Sequence, residues 1–298
     1  MYRIGMITLV LVSLFLLPGV ARALVLVHTL ESPNKVFKIE ILLGPIDQTW
    51  GYVYFKGTKI LTLHNLGFQL SDGEFVPTPL ISKEFIERLR TEDVESHTNV
   101  WKRMNNATMP YPKVREIRRS EDYAEDNARG FFRPVTRDVS NPAEPEGLPE
   151  IYNESVVEYK GLMKIVFRAY DEGIAFCYEF ETEENEPIKI KRELTLFAFE
   201  GDYPCWTAGS RESLPLSKIE KGYESPLLVE IPDGPAISLS ENRLADFAPM
   251  KLLPSTERGN ALIVSLSGEV EIPGTGKPYR SPWRLIKWPP VLPATQRQ

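Results

Sequence analysis

The chain has 298 residues, with 41 acidic and 35 basic side chains and a formal net charge of −6 at pH 7. Nucleic-acid binding draws most of its affinity from basic side chains that neutralise phosphates, so a net acidic chain without a basic cluster argues against a nucleic-acid partner. The length suits one large β-domain or two small ones.

The first predicted element is a secretory signal peptide at residues 1–23. Arg3 precedes an apolar run from Met6 to Leu17, and Ala21-Arg22-Ala23 is a small-x-small cleavage site. Export requires this order of a basic start, a short apolar helix and small residues at the peptidase site. The run is shorter than the roughly 20 apolar residues that cross a bilayer. We therefore expect cleavage after Ala23, a secreted or periplasmic protein and no transmembrane span, and the alternative is an uncleaved membrane anchor.

Strands are predicted for the segment that follows. Apolar residues alternate along Val36–Leu43, which is the pattern of a half-buried strand. Trp50–Phe55 and Ile60–Leu63 flank the turn Lys56-Gly57-Thr58 and are predicted to form a hairpin. Ser82–Arg90 carries apolar residues at helical spacing and is predicted to be a short helix.

Residues 104–149 differ in composition from the rest of the chain. They include six prolines and a dense mixture of charges. Proline removes a ladder donor and mixed charge resists burial, so this stretch is predicted to be a long irregular excursion within one domain.

The clearest predicted strands lie in the second half of the chain. Met163–Ala169 and Ile174–Glu181 are separated by the turn Asp171-Glu172-Gly173, which predicts a second hairpin. Ile188–Phe199 has two faces of different composition and is predicted to be one long strand. The further predicted strands are Leu227–Ile231, Ala236–Leu239, Ala261–Leu266, Val270–Ile272 and Ser281–Ile286. Many short strands with little helix predict an all-β fold, either an antiparallel sandwich or a barrel.

No catalytic motif is visible in the sequence. It contains no nucleophile elbow and no phosphate loop, and its three histidines, His28, His64 and His97, lie far apart and are interpreted as surface or loop residues. Glu179 and Glu181, or Glu183 and Glu184, could resemble a glycosidase pair, but nearby acids in one stretch do not place two carboxyl groups across a sugar. Solvated acids are therefore the favoured interpretation.

Two cysteines and three tryptophans leave alternatives open. Cys177 and Cys205 could form a disulfide in an oxidising compartment or remain buried thiols. Trp101, Trp206 and Trp283 lie near turns or strand ends, where an indole ring can stack on a sugar, but packing in the core is the favoured alternative.

Phe167–Phe176 has the sequence FRAYDEGIAF. This segment is similar to a hairpin in the N-terminal domain of glycoside hydrolase family 97, a family of bacterial α-glucosidases and α-galactosidases. Further similar segments follow the family's order. They are Ser32–Lys35, Leu66–Gly73, Tyr152–Glu154, Glu193–Phe199 with Trp206, Glu241–Met250 and Ser281–Arg284. Each is weak alone, but their shared order indicates the family.

The resemblance implies a large antiparallel β-sandwich of the galactose-mutarotase-like super-sandwich type, here at residues 24–288, followed by a Pro-rich tail at 289–298. In the family a (β/α)₈ barrel with the catalytic groups comes next, and this sequence shows no alternation of strands and helices. We therefore expect an accessory domain for an α-glucoside or α-galactoside, without catalytic residues of its own. The alternatives are an independent sugar-binding module, or half of a split enzyme whose catalytic barrel is separately encoded.

The resemblance also implies site residues. Glu154, Trp206, Trp283 and Arg284 are the expected sugar-binding residues. Glu193 corresponds to the carboxylate that the family's N-terminal domain contributes to a calcium site beside the active centre. Because calcium takes six to eight oxygen ligands, we expect calcium only in a full-length or assembled enzyme and no cofactor for this chain alone.

Overall fold

A computed structural model describes most of the predicted domain. The described residues are 25–43, 49–72, 75–76, 113–119, 144–145, 147–149, 151–159, 163–207, 210, 212–242, 244–256 and 258–288. The predicted signal peptide, the predicted helix, most of the predicted excursion and the Pro-rich tail lie outside them. Within the described ranges, no helix has the length and apolar character needed to cross a membrane.

The described elements are short strands and one turn of 3₁₀ helix at Leu216–Lys218. The strands are β1 (Val25–Glu31), β2 (Phe37–Leu43), β3 (Thr49–Phe55), β4 (Thr58–Leu66), β5 (Phe68–Leu70), β6 (Phe75–Val76), β7 (Lys113–Arg119), β8 (Asn153–Glu158), β9 (Met163–Tyr170), β10 (Gly173–Phe180), β11 (Ile188–Glu193), β12 (Leu196–Phe199), β13 (Pro204–Thr207), β14 (Leu214–Pro215), β15 (Tyr223–Glu224), β16 (Leu227–Glu230), β17 (Ala236–Glu241), β18 (Met250–Pro254), β19 (Ala261–Leu266), β20 (Val270–Ile272), β21 (Tyr279–Arg280) and β22 (Arg284–Lys287).

These strands form three antiparallel sheets. The first sheet has the order β1-β2-β3-β4-β12-β19-β18-β15. The second has the order β14-β13-β16-β17-β22-β10-β9-β8-β7, with β21 paired to β10, and the third has the order β20-β11-β5-β6. The prediction of an all-β fold built from large antiparallel sheets is confirmed.

Both predicted hairpins are present. β3 and β4 pair from Phe55 and Thr58 outward, and Lys56 and Gly57 between them adopt φ angles of 48° and 81°. β9 and β10 pair without a register shift from Tyr170 and Gly173 outward. The turn residues and the strand patterns on either side of them were therefore sufficient to predict these two pairs of strands.

The main core lies between the inner faces of the first two sheets. Phe37, Ile39 and Ile41 alternate along β2 and are fully buried. Phe176 of the second sheet and Phe197 of the first have ring centroids 6.3 Å apart. Full burial of such side chains contributes about 1.5–3 kcal/mol each relative to exposure, so apolar packing between the sheets is the dominant stabilising term.

The predicted strand Ile188–Phe199 is wrong as a single element. Its residues form β11 in the third sheet and β12 in the first. The chain changes sheets at Leu194, whose N–H donates to the carbonyl of Gly67 at 2.8 Å, and at Thr195, whose carbonyl accepts from Val264 at 2.9 Å. Arg192 interrupts the apolar face just before the change of sheets, but one polar residue in a strand does not show that the pairing partner changes.

A further difference concerns the predicted irregular excursion. Lys113–Arg119 within it forms β7, which pairs with β8 at the edge of the second sheet. The register shifts between Arg115 and Arg118. An edge strand tolerates charges and irregular pairing because one side of its backbone is unpaired, so dense charge did not exclude a strand here.

The two cysteines are free and buried, so the disulfide alternative is wrong. Cys177 lies on β10 and Cys205 on β13, and β16, β17 and β22 separate these strands in the second sheet. At about 4.8 Å per strand the two positions are roughly 19 Å apart, which is far beyond bridging distance. Burial raises the pKa of the Cys177 thiol to about 12.

Candidate functional site

A small second cluster covers the outer face of the second sheet. Along β9, Ile165, Phe167 and Ala169 face the main core, while Val166 and Tyr170 belong to this outer cluster. Its buried members are Val156, Val166, Tyr170, Ala175, Cys177, Trp283 and Leu285. Because successive residues of a strand alternate between faces, the strands that close the core also present this second surface.

Arg168 is the charged centre of the outer cluster and is only 4% exposed. Its guanidinium carbon lies 4.2 Å from the ring centroid of Tyr152 and 4.6 Å from that of Trp283. Its Nε donates to Glu154 at 2.9 Å, and its Nη1 donates to Glu144. Aromatic faces and carboxylates are the partners that a desolvated guanidinium prefers, so this arginine is held by four side chains.

Glu179 is part of a second ionic group in the same sheet. Its side chain has no exposed surface, its Oε2 accepts from Arg280 Nε at 3.1 Å and its Oε1 lies 3.5 Å from Lys164 Nζ. The interpretation of Glu179 as a solvated acid is therefore wrong, because two cations hold it inside. Arg280 and Lys164 neutralise its charge, and this environment does not suit a glycosidase acid or base.

A third ionic group, the Arg284 triad, consists of Arg284, Glu193 and Glu241. Arg284 is fully buried, and its Nε donates to Glu193 Oε1 at 3.2 Å. Its Nη2 donates to Glu193 Oε2, and its Nη1 donates to Glu241 Oε2 at 2.7 Å. Thr195 Oγ1 also donates to Glu193 Oε1 at 2.8 Å and lies 2.6 Å from the hydroxyl of Tyr178.

The electrostatics of the Arg284 triad maintain its charged form. Burial alone would lower the pKa of Arg284, but the adjacent carboxylates of Glu193 and Glu241 outweigh burial and raise that pKa above its ordinary value. Burial, followed by the charge of Glu193, raises the pKa of Tyr178 well above its usual range. Tyr178 is therefore a neutral phenol beside a charged triad.

The position of Glu193 follows from an irregularity in β11. The sequence pattern places Glu193 on the same face as Lys189 and Lys191, which are exposed. The register of β11 against β5 shifts between Ile190 and Arg192. Such a bulge changes which residues point inward, and Glu193 consequently points into the protein.

The residues of the expected calcium site do not fit calcium in this structure. Both oxygens of Glu193 accept hydrogen bonds from Arg284, and one of them also accepts from Thr195. Among the described residues, no three His, Cys, Asp or Glu side chains converge so that they could hold a metal ion. A calcium ion needs six to eight oxygens and deprotonated, available carboxylates.

The expected sugar-binding residues occupy three different environments. Trp283 and Arg284 have no exposed surface, so neither offers a face or a donor to a sugar. Glu154 is half-buried and bound to Arg168. Trp206 is half-buried on β13, opposite Leu228 of β16. A ring or guanidinium must be accessible to contact a ligand, so of these four residues Trp206 and Glu154 remain predictions.

An aromatic row on the first sheet was missed by the sequence reasoning. Trp50, Tyr52 and Tyr54 alternate along β3, and all three are half-buried on its outer face. The Nζ of Lys38 lies 4.0 Å from the ring centroid of Tyr54, and the Nζ of Lys59 lies 4.7 Å from that of Tyr52. The period-2 spacing of the aromatic residues in TWGYVYF was the available signal.

His64 lies beside the aromatic row. The interpretation of His64 as a surface or loop residue is wrong, because its side chain is buried. It is a buried residue of β4 with its ring centroid 4.2 Å from that of Trp50. Arg258 Nη1 lies 3.2 Å from its Nε2. Burial first, then the charges of Arg258 and Lys59, lower the pKa of His64 to about 4.

This environment predicts that His64 makes stability depend on pH. Between the ordinary pKa of 6.5 and the folded pKa of about 4, the unfolded chain binds a proton that the folded chain does not bind. The stability that depends on a neutral His64 is fully present above about pH 6.5 and is lost as the pH falls towards about 4. Urea unfolding at several pH values should therefore show a shallower acid-side loss of stability in His64→Phe than in the wild type. Parallel pH profiles for the two proteins would contradict this assignment.

Comparison with known proteins places this architecture in a family. Residues 140–290, about half of the chain, match the family described as Glycosyl-hydrolase 97 N-terminal. The fold is similar to that of a glycoside hydrolase family 97 enzyme from Pseudoalteromonas sp. strain K8 in complex with acarbose, with a TM-score of 0.55 and 20% sequence identity over 87% of this chain. A variant of that enzyme in complex with panose has the same similarity values. No curated protein sequence matches the chain.

A β-arabinopyranosidase crystal structure is also similar, with a TM-score of 0.55, 16% identity and coverage of 87% of this chain. The chain spans 35% of the length of the Pseudoalteromonas enzyme and 40% of that of the arabinopyranosidase. At these identities the structural likeness shows the fold. The match over residues 140–290 shows the family: the chain belongs to the N-terminal domain family of glycoside hydrolase family 97.

Proposed function

We propose that this chain is the exported, non-catalytic N-terminal β-domain of a family 97 α-glycosidase, which supports a sugar site formed with a catalytic domain. The match of residues 140–290 to the N-terminal family carries this proposal. Coverage of 87% of this chain but 35% of a solved family 97 enzyme is consistent with one domain of a larger assembly. Export rests on the signal peptide predicted at residues 1–23.

The environments of the buried carboxylates support a non-catalytic role. A glycosidase needs two carboxyl groups that face each other across a sugar, separated by about 5–9.5 Å, with one of them able to donate a proton. Within the described ranges, Glu179 is paired with Arg280, and Glu193 and Glu241 share Arg284. Charge-assisted bonds of this kind occupy the lone pairs of a carboxylate.

An activity assay tests this proposal. Mature protein, whose first residue is checked as Leu24 by N-terminal sequencing, is incubated with p-nitrophenyl α-glucoside and α-galactoside. We expect release of nitrophenol at the rate of buffer alone, because the buried carboxylates Glu179, Glu193 and Glu241 of the described residues are each paired with an arginine. Turnover that is lost in Glu193→Gln or Glu179→Gln but kept in the exposed-residue control Glu230→Gln would contradict a non-catalytic role.

The aromatic row favours an independent sugar-binding module as a second candidate. Alternate residues of one strand are about 6.8 Å apart, so the three rings form a platform long enough for a short oligosaccharide. The ammonium groups of Lys38 and Lys59 lie over the rings of Tyr54 and Tyr52, so a sugar that stacks on these faces must displace the two lysine side chains. Positively polarised C–H groups on the face of a pyranose suit the same electron-rich surface.

Calorimetric titration with panose tests the second candidate, since this trisaccharide is bound by the Pseudoalteromonas enzyme. We expect millimolar binding that weakens at least about tenfold, or about 1.4 kcal/mol, in Tyr52→Ala. Trp206→Ala is the competing variant, because Trp206 is itself an expected sugar-binding residue and its indole lies on the second sheet. Loss of binding in Trp206→Ala with retention in Tyr52→Ala would place the sugar at Trp206 and contradict the aromatic row.

A further inference from the structure

The carboxylate expected to bind calcium has a different cation in this structure. Glu193 is 1% exposed, and Arg284 contacts both of its oxygens through two different nitrogens. This is the bidentate geometry in which a guanidinium matches a carboxylate best. Thr195 adds a further donor to Oε1.

The second carboxylate of the Arg284 triad is also fully engaged. The side chain of Glu241 is 1% exposed, and its Oε2 accepts from Arg284 Nη1. Its Oε1 accepts from the backbone N–H of Met250 at 2.8 Å. Each of the four oxygens of Glu193 and Glu241 therefore already has a donor.

The Arg284 triad also joins separate parts of the fold. Glu193 ends β11 of the third sheet, while Arg284 begins β22 and Glu241 ends β17, both in the second sheet. β17 and β22 are neighbours, and Glu241 pairs with Arg284 in their register. One guanidinium thus holds the third sheet to the second, which is a role that a structural cation could otherwise perform.

A divalent cation would need to displace Arg284 before it could contact Glu193. The guanidinium remains protonated under all ordinary conditions, so it cannot leave by losing its charge. A calcium ion placed beside it would experience strong repulsion in a buried site, where screening is weak. Displacement would also leave the guanidinium buried without its partners.

We propose that Arg284 is the permanent counter-cation of Glu193 and Glu241, and that Glu193 is consequently not a calcium ligand in this chain. The Arg284 triad closes this position to divalent cations. Calcium binding is measured independently of sugar binding and hydrolysis, so this proposal and the proposed function can fail separately.

Calcium titration of the full chain after treatment with EDTA tests the proposal, with isothermal calorimetry and the thermal midpoint as readouts. The proteins compared are the wild type, Glu193→Gln and the exposed-residue control Glu183→Gln. We expect the wild-type midpoint to be the same in EDTA and in millimolar calcium chloride, with no saturable heat. Calcium binding of equal affinity in the wild type and Glu193→Gln would also support the proposal, because Glu193 would not contribute. Saturable binding that is lost in Glu193→Gln and kept in Glu183→Gln would overturn it.

A second measurement uses only the wild-type protein for the titration, in case Glu193→Gln does not fold. The Nε–H resonance of Arg284, assigned by comparison with Arg284→Lys, reports directly on its bond to Glu193. We expect its chemical shift and its slow hydrogen exchange to remain unchanged when calcium is added. A saturable shift of this resonance, or faster exchange in calcium, would show that the guanidinium is displaced and would refute the proposal.

Discussion

Replacement of Arg284 by methionine is expected to lower the free energy of unfolding by about 3–5 kcal/mol, because the change leaves two carboxylates buried without their cation. Methionine retains much of the apolar stem of arginine, so the change in the free energy of unfolding reports mainly the removal of the guanidinium. Glu193 and Glu241 would then lie close together with no positive charge between them. Urea unfolding followed by circular dichroism gives the free-energy difference.

The matched control for this prediction is an ion pair on the surface. Lys189 and Glu271 are 3.6 Å apart with side chains 60% and 62% exposed. Lys189→Met should change the free energy of unfolding by less than about 1 kcal/mol, because solvent screens the pair. The triple variant Arg284→Met, Glu193→Gln, Glu241→Gln should recover part of the loss, since it removes the stranded charges. A loss below about 1 kcal/mol in Arg284→Met alone would show that the carboxylates find other partners.

Gly173→Ala is the second substitution with a large expected effect. Gly173 begins β10 with a φ angle of 152°, which residues with a side chain rarely adopt. A Cβ at this position would lie 3.0 Å from the carbonyl carbon of Ile286 and from the Cα of Lys287, and closer still to the carbonyl oxygen of Ile286. Backbone strain and overpacking together should lower the free energy of unfolding by about 3 kcal/mol or more.

The damage should be localised where β10 pairs with β22, the strand that also carries Arg284. Gly268→Ala is the control, because no atom lies within 4 Å of the added methyl group. That variant should remain within about 1 kcal/mol of the wild type. If Gly173→Ala unfolds at the same thermal midpoint as the wild type, then β22 can move away from β10 without a loss of stability, and the prediction is wrong.

Local patterns in the sequence were informative wherever a turn and its two strands are contiguous. The hairpins around Lys56-Gly57 and Asp171-Glu172-Gly173 could be predicted because the turn residues and the flanking period-2 pattern lie in one short stretch. The second of these hairpins carries Phe167–Phe176, one of the motifs that resemble the family. The family assignment over residues 140–290 confirmed that resemblance.

Pairing between distant segments could not be predicted in this way. Ile188–Phe199 has a strand-like pattern that is interrupted only at Arg192 on its apolar face, but it supplies strands to two sheets, because β5 and β4 offer separate edges to its two halves. The sequence pattern placed Glu193 on an exposed face for the same reason. The bulge that turns its side chain inward depends on the pairing of β11 with β5, a distant segment of the chain.

The sequence by itself determined the all-β class, the hairpins with local turns and the family, because each of these depends on residue types at short or fixed spacing. Only the tertiary structure decided that Trp283 and Arg284 are buried, that Glu193 is bound by an arginine 91 residues away and that the face shared by three aromatic rings is the outer one. Burial and charge pairing depend on which strands become neighbours in a sheet. A pattern with a period of two residues contains no information about that choice of neighbour.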